Sequence, residues 1–165
     1  MKNPVAIVAV ALGMLIVVWL VYPKNEAYRI RQRLDQLADV VSSTQQQSDA
    51  ARLVHIAGLR QFFTEDVSVK LNGNIPQVKD RNTLLRIAQG ALQQEPSLTV
   101  AFTDISVSHA DGTQQARVNT TVVVTGVHSP KAKSVDAQEL EMDLVKAKGE
   151  WRIKAVWPVE VMKLD

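Results

Sequence analysis

Cysteine is absent from this 165-residue chain, which excludes disulfide bonds, thiolate metal ligands and a cysteine nucleophile. An excess of one charge is also missing, because 19 Lys and Arg residues oppose 17 Asp and Glu residues, for a net charge of +2. Nucleic-acid-binding domains usually carry a larger or more clustered basic excess, so we expect no nucleic-acid partner. The sequence contains no G-x-S-x-G elbow, phosphate-binding glycine loop or dinucleotide fingerprint, so none of these catalytic or nucleotide-binding motifs is indicated.

The longest uncharged segment lies near the N-terminus. Val5–Tyr22 reads VAIVAVALGMLIVVWLVY, and as a helix it would be about 27 Å long, enough to cross the core of a bilayer. The apolar region of a secretory signal peptide is usually shorter, about 7–15 residues, and small residues follow it. Here Trp19 and Tyr22 end the segment, as is typical of a lipid–water interface. We therefore predict an uncleaved transmembrane anchor over residues 1–23, with a cleaved signal peptide as the alternative.

The charges around this segment give conflicting indications of its orientation. Lys2 precedes it, and four basic residues follow it: Lys24, Arg29, Arg31 and Arg33. Because basic residues are enriched on the cytoplasmic side of a membrane, the larger number after the segment places the adjoining domain in the cytoplasm. However, acidic residues alternate with them, and a short lysine-bearing tail is the usual start of a signal anchor that exports the domain attached to it. We predict a single-pass bacterial inner-membrane protein whose domain, residues 24–165, is periplasmic, with the cytoplasmic side as the alternative. Its first partner would be the lipid bilayer, through residues 5–22.

Two helices are expected to open this domain. Asn25 can cap the first. Its apolar residues recur three to four positions apart, which places them on one helix face: Ile30, Leu34, Leu37 and Val41. After a polar break, Ser48 or Asp49 can cap a second helix that reaches Phe63. A helical hairpin is the simplest arrangement of the two.

A short strand and a third helix come next in the chain. Apolar residues alternate with polar ones, as in a half-buried strand: Val67, Val69 and Leu71. Asn72-Gly73 is a strong turn signal, and 75–78 could form a short return strand. Asp80 or Asn82 then begins the third helix, which ends before Pro96.

The second half of the chain alternates apolar and polar residues and predicts four long strands, roughly 97–109, 114–126, 136–146 and 151–163. Asp111-Gly112 and Lys148-Gly149 stand at two of the joins. If both are two-residue turns, the facing pairs are Leu144 with Ile153, Met142 with Ala155, Leu140 with Trp157, Val107 with Ala116, and Ile105 with Val118. This register places Leu140, Met142 and Leu144 on the inward face and directs Glu139, Glu141 and Asp143 outward.

Three motifs carry a family resemblance: FFTEDV at 62–67, Asp80-Arg81, and GEWRI at 149–153. On them, residues 26–165 resemble the nuclear transport factor 2-like superfamily, which includes the SnoaL-like proteins. The resemblance implies an α+β fold in which three N-terminal helices pack on a strongly curved antiparallel sheet. The resulting cone has an interior pocket, and the open sheet face often forms a homodimer. The resemblance does not specify a function, because the superfamily contains enzymes, carriers and assembly modules.

The catalytic sets found in this superfamily fit the sequence poorly. Relatives of ketosteroid isomerase need a carboxylate base in the pocket and an acidic hydrogen-bond donor. Alignment places Leu71 where the base would stand, and the penultimate strand turns its acids outward. Asp66, Arg81 and Asp104 are the nearest match to a water-activating set, but a plainer interpretation of each is favoured: Asp104 marks a strand bulge, Asp66 ends a helix–strand turn, and Arg81 lies at a helix start. The three histidines, His55, His109 and His128, lack the spacing of a zinc site.

Two groups of residues are candidates for binding. An apolar ligand in the cone pocket would contact His55, Phe62, Phe63, Met142 and Trp157, although aromatic residues at these spacings are more often core. A subunit contact on the outer sheet face would centre on Val100, Phe102 and Val123, because the residues on both faces of the sheet are apolar there.

The function that we predict is a non-catalytic interaction or assembly module of the bacterial envelope. It would act as a homodimer or bind other envelope subunits, and we expect no cofactor and no metal. The first alternative is a carrier that holds a small apolar ligand in the cone. The second is a SnoaL-like isomerase, cyclase or hydrolase.

Overall fold

The computed structural model describes residues 25–42, 54, 56–70, 76–94, 98–129 and 132–159. The anchor predicted over residues 1–23 lies outside this part of the chain. Within it, no helix is both long and apolar enough to span a membrane. The elements in chain order are helix α1 (Glu26–Ser42), a 3-10 helix (Leu59–Phe62), strand β1 (Phe63–Val69), helix α2 (Arg81–Gln94), and strands β2 (Leu98–His109), β3 (Gln115–Ser129), β4 (Ala132–Ala147) and β5 (Glu150–Pro158).

The helices begin where their capping residues predict. At the start of α1, the Asn25 side-chain oxygen accepts a hydrogen bond of 3.1 Å from the Ala27 backbone N–H. At the start of α2, Asp80 Oδ1 accepts one of 2.8 Å from the Thr83 N–H. Helical residues at 54 and 56–58 lead into the 3-10 helix, and the rest of the predicted second helix lies outside the described residues. The face of α1 that packs on the sheet carries the buried residues Ile30, Leu34, Leu37 and Ala38.

Five strands form one sheet in the order β1-β5-β4-β3-β2. Every neighbouring pair is antiparallel except β1 and β5, which run parallel at one edge. The predicted α+β architecture of helices on one sheet is confirmed. The predicted return strand is reduced, within the described residues, to a single bridge between Val69 and Val78.

The β4–β5 hairpin confirms one predicted pairing and corrects two. Lys148 and Gly149 both have positive φ, 55° and 83°, as a two-residue turn between right-twisted strands requires. Leu144 faces Ile153 as predicted, but Met142 then faces Val156, and Leu140 faces Pro158. The cause is a β-bulge at Lys154, which adds one residue to β5. Beyond the bulge, every side chain of β5 is on the opposite face from the one predicted.

The β2–β3 hairpin has a longer loop than predicted. Residues 110–114 separate the strands, and Thr113 folds the loop back by donating its N–H to the Ala110 carbonyl at 3.1 Å. Val107 therefore faces Val118 and not Ala116, and the predicted pair of Ile105 with Val118 is also wrong. The shift is two residues, so Ile105 and Val107 stay on their predicted face.

A second bulge interrupts β2. The pairing with β3 shifts between Thr103 and Ser106, and Asp104 adopts a φ of 53°. The interpretation of Asp104 as a bulge residue is confirmed. Because of this bulge, Phe102 and Ile105 both pack against the core although they are three positions apart.

The core lies between α1 and the inner face of the sheet. Its fully buried side chains are Trp151, Ile30, Leu34, Met142, Leu144, Val67 and Val118. Val67 belongs to a smaller cluster with Val69 and Val78, at the β1 edge of the sheet. Phe63 and Val156 pack against both clusters and connect them.

Candidate functional site

Among the described residues, the space between α1 and the sheet is filled by side chains. Phe62, Met142 and Trp151 are only 1–2% exposed and belong to one cluster with α1. Among the described residues, Thr120 is the one buried polar residue, and its hydroxyl donates to the Thr103 carbonyl at 2.7 Å. An interior packed in this way resembles an ordinary protein core and not a preformed ligand pocket.

The predicted pocket residues are only partly brought together. Phe62 and Met142 lie in the main core, and Phe63 packs at its border with the smaller cluster. Trp157, in contrast, lies on the outer face, because the Lys154 bulge places Val156 on the inner face instead. His55 lies outside the described residues.

A polar cluster closes the core at the start of α1. Glu26 accepts hydrogen bonds from the Trp151 indole N–H at 2.7 Å and from Lys146 Nζ at 2.8 Å. Arg29 adds an ion pair at 3.4 Å. The Lys146 hydrogen bond lowers the pKa of the Glu26 carboxyl below its ordinary value of 4.5, against the opposing effect of burial. A carboxylate held ionised and surrounded by donors is a poor general acid and a weak base, so its role is structural.

His109 lies beside this cluster. Its ring meets Trp151 edge-on with the ring centroids 5.6 Å apart, and its Nε2 is 3.0 Å from the Thr113 carbonyl oxygen. Together with Glu26 and Lys146 it lines an open cleft of about 500 Å³. Glu26 was not among the residues that the sequence singled out. The signal that could have found it was Trp151, whose indole N–H requires an acceptor when it is buried.

The outer face of the sheet carries a second polar cluster. Arg117 Nε donates to Asp143 at 2.9 Å, and its Nη1 pairs with Glu141 at 3.0 Å. The guanidinium also lies 5.5 Å from the centre of the Trp157 ring. The Asp143 hydrogen bond is the main reason that the pKa of Arg117 is raised. The predicted outward orientation of Glu141 and Asp143 is confirmed.

This outer cluster borders a cleft of about 380 Å³. Besides Arg117 and Asp143, the cleft is lined by the exposed residues Asp66 and Lys154. Charges of both signs therefore lie within one concave surface. We call this surface, consisting of Asp66, Arg117, Asp143, Lys154 and the adjoining Trp157, the outer cleft.

The three predicted interface residues do not form one patch. Phe102 faces Val122 across the strands and packs against the core, whereas Val123 faces Ala101. Val100 shares the inner side with Phe102, and its N–H donates to the Ser42 hydroxyl at 3.0 Å. Val123 is therefore the one predicted interface residue on the outer face.

The possible aspartate–arginine–aspartate set does not converge. Asp66 lies on β1 and Asp104 on β2, the two opposite edges of the sheet. Four strand spacings separate them, about 19 Å along the sheet. Arg81 donates to the Phe63 carbonyl and to Glu65, both at 3.3 Å, and so supports the start of α2. Across the described part of the chain, no group of His, Cys, Asp and Glu residues could hold a metal ion.

Comparisons with known proteins agree on the fold. A family model described as a SnoaL-like domain matches residues 32–156. None of the curated proteins matches the chain. A crystal structure described as a putative scytalone dehydratase from Novosphingobium aromaticivorans is similar, with a TM-score of 0.66 and 15% identity over 82% of this chain and 85% of that one.

Two further structures from the same organism are similar. One, described as a putative aromatic ring hydroxylase, has a TM-score of 0.68 and 15% identity over 86% of this chain and 92% of that one. The other, described as an NTF2-like protein with a cystatin-like fold, has a TM-score of 0.63 and 12% identity over 98% and 92%. Similarity at these identities establishes the fold and leaves the activity open.

Proposed function

The chain belongs to the SnoaL-like domain family, and we propose that it serves as a non-catalytic, membrane-anchored assembly module. Residues 5–22 would hold it in the bilayer, and the outer face of the sheet would bind a second copy of the chain. The observation that carries the proposal is the filled interior. Met142 and Trp151, which lie in the main core, are only 1% and 2% exposed.

The filled interior disfavours both alternatives. A small-molecule site usually has a volume of about 300–1,000 Å³ and a few polar groups that converge on the ligand. The described core has Thr120 as its buried polar residue, and that hydroxyl is already hydrogen-bonded within the sheet. Acid–base chemistry requires an ionisable group at the reacting atoms. The ion-paired clusters of Glu26 with Lys146 and of Arg117 with Glu141 lie instead at the start of α1 and on the outer face.

A second copy of the chain suits the charges of the outer cleft. A twofold interface brings the same surface of both subunits together, so it requires a surface that complements itself. Arg117 and Lys154 supply positive charge there, and Asp66, Glu141 and Asp143 supply negative charge. Aromatic and arginine side chains, such as the half-buried Trp157 and the exposed Arg117, are also enriched at protein interfaces.

Native mass spectrometry of the full chain, released from neutral detergent, tests this proposal. We expect a dimer for the native sequence and a monomer for Val123→Glu, which places a charge on the outer face. Val54→Glu is the matched control, because Val54 is 74% exposed and is helical, so it does not belong to the sheet. A monomeric native chain, or a Val123→Glu dimer, would contradict self-association. A reproducible added mass would instead favour the ligand carrier.

A further inference from the structure

A polar groove of about 200 Å³ lies between α1 and the start of β5. Its α1 side consists of four residues at helical spacing: Arg29, Gln32, Arg33 and Gln36. Glu150 and Trp151 form the other side. We call the four α1 residues and the space that they border the arginine groove. It is separate from the filled interior and from the outer cleft.

Arg33 is fixed in position, but one of its hydrogen-bond donors has no acceptor. Its guanidinium lies over the Phe62 ring, 4.2 Å from the centre. Nη2 donates to the Gln61 carbonyl at 2.9 Å, and Nη1 donates to the Gln36 side chain at 3.3 Å. Nε is buried and has no partner among the described residues. A buried donor without an acceptor is unfavourable, so a ligand that accepts from Nε would relieve it.

Two further arginines, Arg29 and Arg152, lie near Arg33. Arg29 lies one turn earlier and donates to the Gly149 carbonyl at 3.2 Å. Burial is the main cause that lowers the pKa of Arg33; the nearby charge of Glu150 opposes it, and the charge of Arg152 adds to it by a smaller amount. The Nε of Arg152 is likewise buried without a partner among the described residues. The carboxylate of Glu26 is held by Lys146 and Trp151 and also pairs with Arg29 at 3.4 Å.

We propose that the arginine groove binds a phosphate-type oxyanion, as a free phosphate monoester or as the headgroup of an anionic phospholipid. Guanidinium groups suit this chemistry because their planar donors bind two phosphate oxygens at once. The volume suits a single phosphate group. Along the axis of α1, Arg29 and Arg33 lie about 6 and 12 Å from Asn25, the residue that the predicted anchor precedes. The site goes beyond the proposed assembly function and does not depend on it.

The test monitors the arginine side-chain Nε–H signals of the full chain in neutral detergent by NMR. Inorganic phosphate is added at constant ionic strength, with chloride as the reference salt. We expect a saturable shift of the Arg33 signal. Arg33→Gln should weaken phosphate binding by about tenfold or more, as the loss of a charged hydrogen bond implies. Arg86→Gln, an exposed arginine of α2, is the matched control and should bind as the native chain does.

A second variant keeps the test valid if Arg33→Gln does not fold. Gln32→Glu places a carboxylate in the groove, where it can pair with the arginines in place of the ligand. We expect this variant to melt at a higher temperature than the native chain and to lose the phosphate response. An unchanged phosphate response in Gln32→Glu would overturn the proposal.

Nanodiscs distinguish the two sources of phosphate. If phosphatidylglycerol nanodiscs shift the Arg33 Nε signal and phosphatidylcholine nanodiscs do not, the ligand is a lipid headgroup. A response to inorganic phosphate in detergent assigns a soluble phosphate ligand. Absence of both responses overturns the proposal. The dimer test changes only Val123 and Val54, so its failure would leave this result unaffected.

Discussion

Glu26 accepts hydrogen bonds from two elements that are far from it in the sequence. It starts α1, and its carboxylate binds the indole of Trp151 and the ammonium of Lys146. We expect Glu26→Gln to lower the free energy of unfolding by about 1–3 kcal/mol, because two charge-assisted hydrogen bonds are weakened together. Urea unfolding measures the change. Glu139→Gln, an exposed β4 residue, is the control and should change stability by less than about 0.5 kcal/mol.

The same carboxylate gives the fold a pH dependence of known sign. The pKa of Glu26 is lowered in the folded protein from its ordinary value of 4.5. Its stabilising effect is therefore complete above about pH 4.5 and is lost as pH falls through the lower, folded value. We expect the stability difference between the native chain and Glu26→Gln to shrink over that acidic range. A difference that stayed constant from neutral to acidic pH would contradict the assignment.

At the scale of elements, the β4–β5 hairpin depends on a glycine with positive φ. Gly149 has a φ of 83°, where a side chain would be strained although it would meet no atom within 4 Å. We expect Gly149→Ala to lower the free energy of unfolding by about 1–2 kcal/mol. Gly90→Ala is a control for which we expect a change of the opposite sign. This glycine lies within α2, and an added Cβ would meet no atom within 4 Å. That substitution should stabilise the protein by about 0.5–1 kcal/mol, as thermal unfolding would show.

The sequence predicts elements well where the signal is local. The Asn25 and Asp80 caps, the Lys148-Gly149 turn and the outward acids of β4 result from short-range chemistry, and all are confirmed. The bulge at Lys154 could not be predicted from the alternation, because one extra residue leaves the pattern on either side intact. The bulge also changes the predicted ligand pocket, because it places Trp157 on the face opposite Met142.

At the scale of the whole molecule, the filled interior can be tested directly. Met142 is 1% exposed within the main core. We expect Met142→Ala to lower the free energy of unfolding by about 2–5 kcal/mol, whereas Met142→Leu, which conserves volume, should cost less than about 1.5 kcal/mol. Denaturant unfolding with two probes checks both. If the alanine variant lost almost no stability, the side chain would border open space, and an interior ligand pocket would regain support.

The two ends of the described chain depend on each other. Strand β1 has β5 as its sole neighbour in the described sheet, and the indole of Trp151 binds a carboxylate 125 residues earlier. Contacts this distant in sequence form late and slowly. During synthesis, α1 and β1 leave the ribosome long before the strand that completes them. Strand β5 must therefore be synthesised before β1 gains its partner in the described sheet and before Glu26 gains the indole of Trp151.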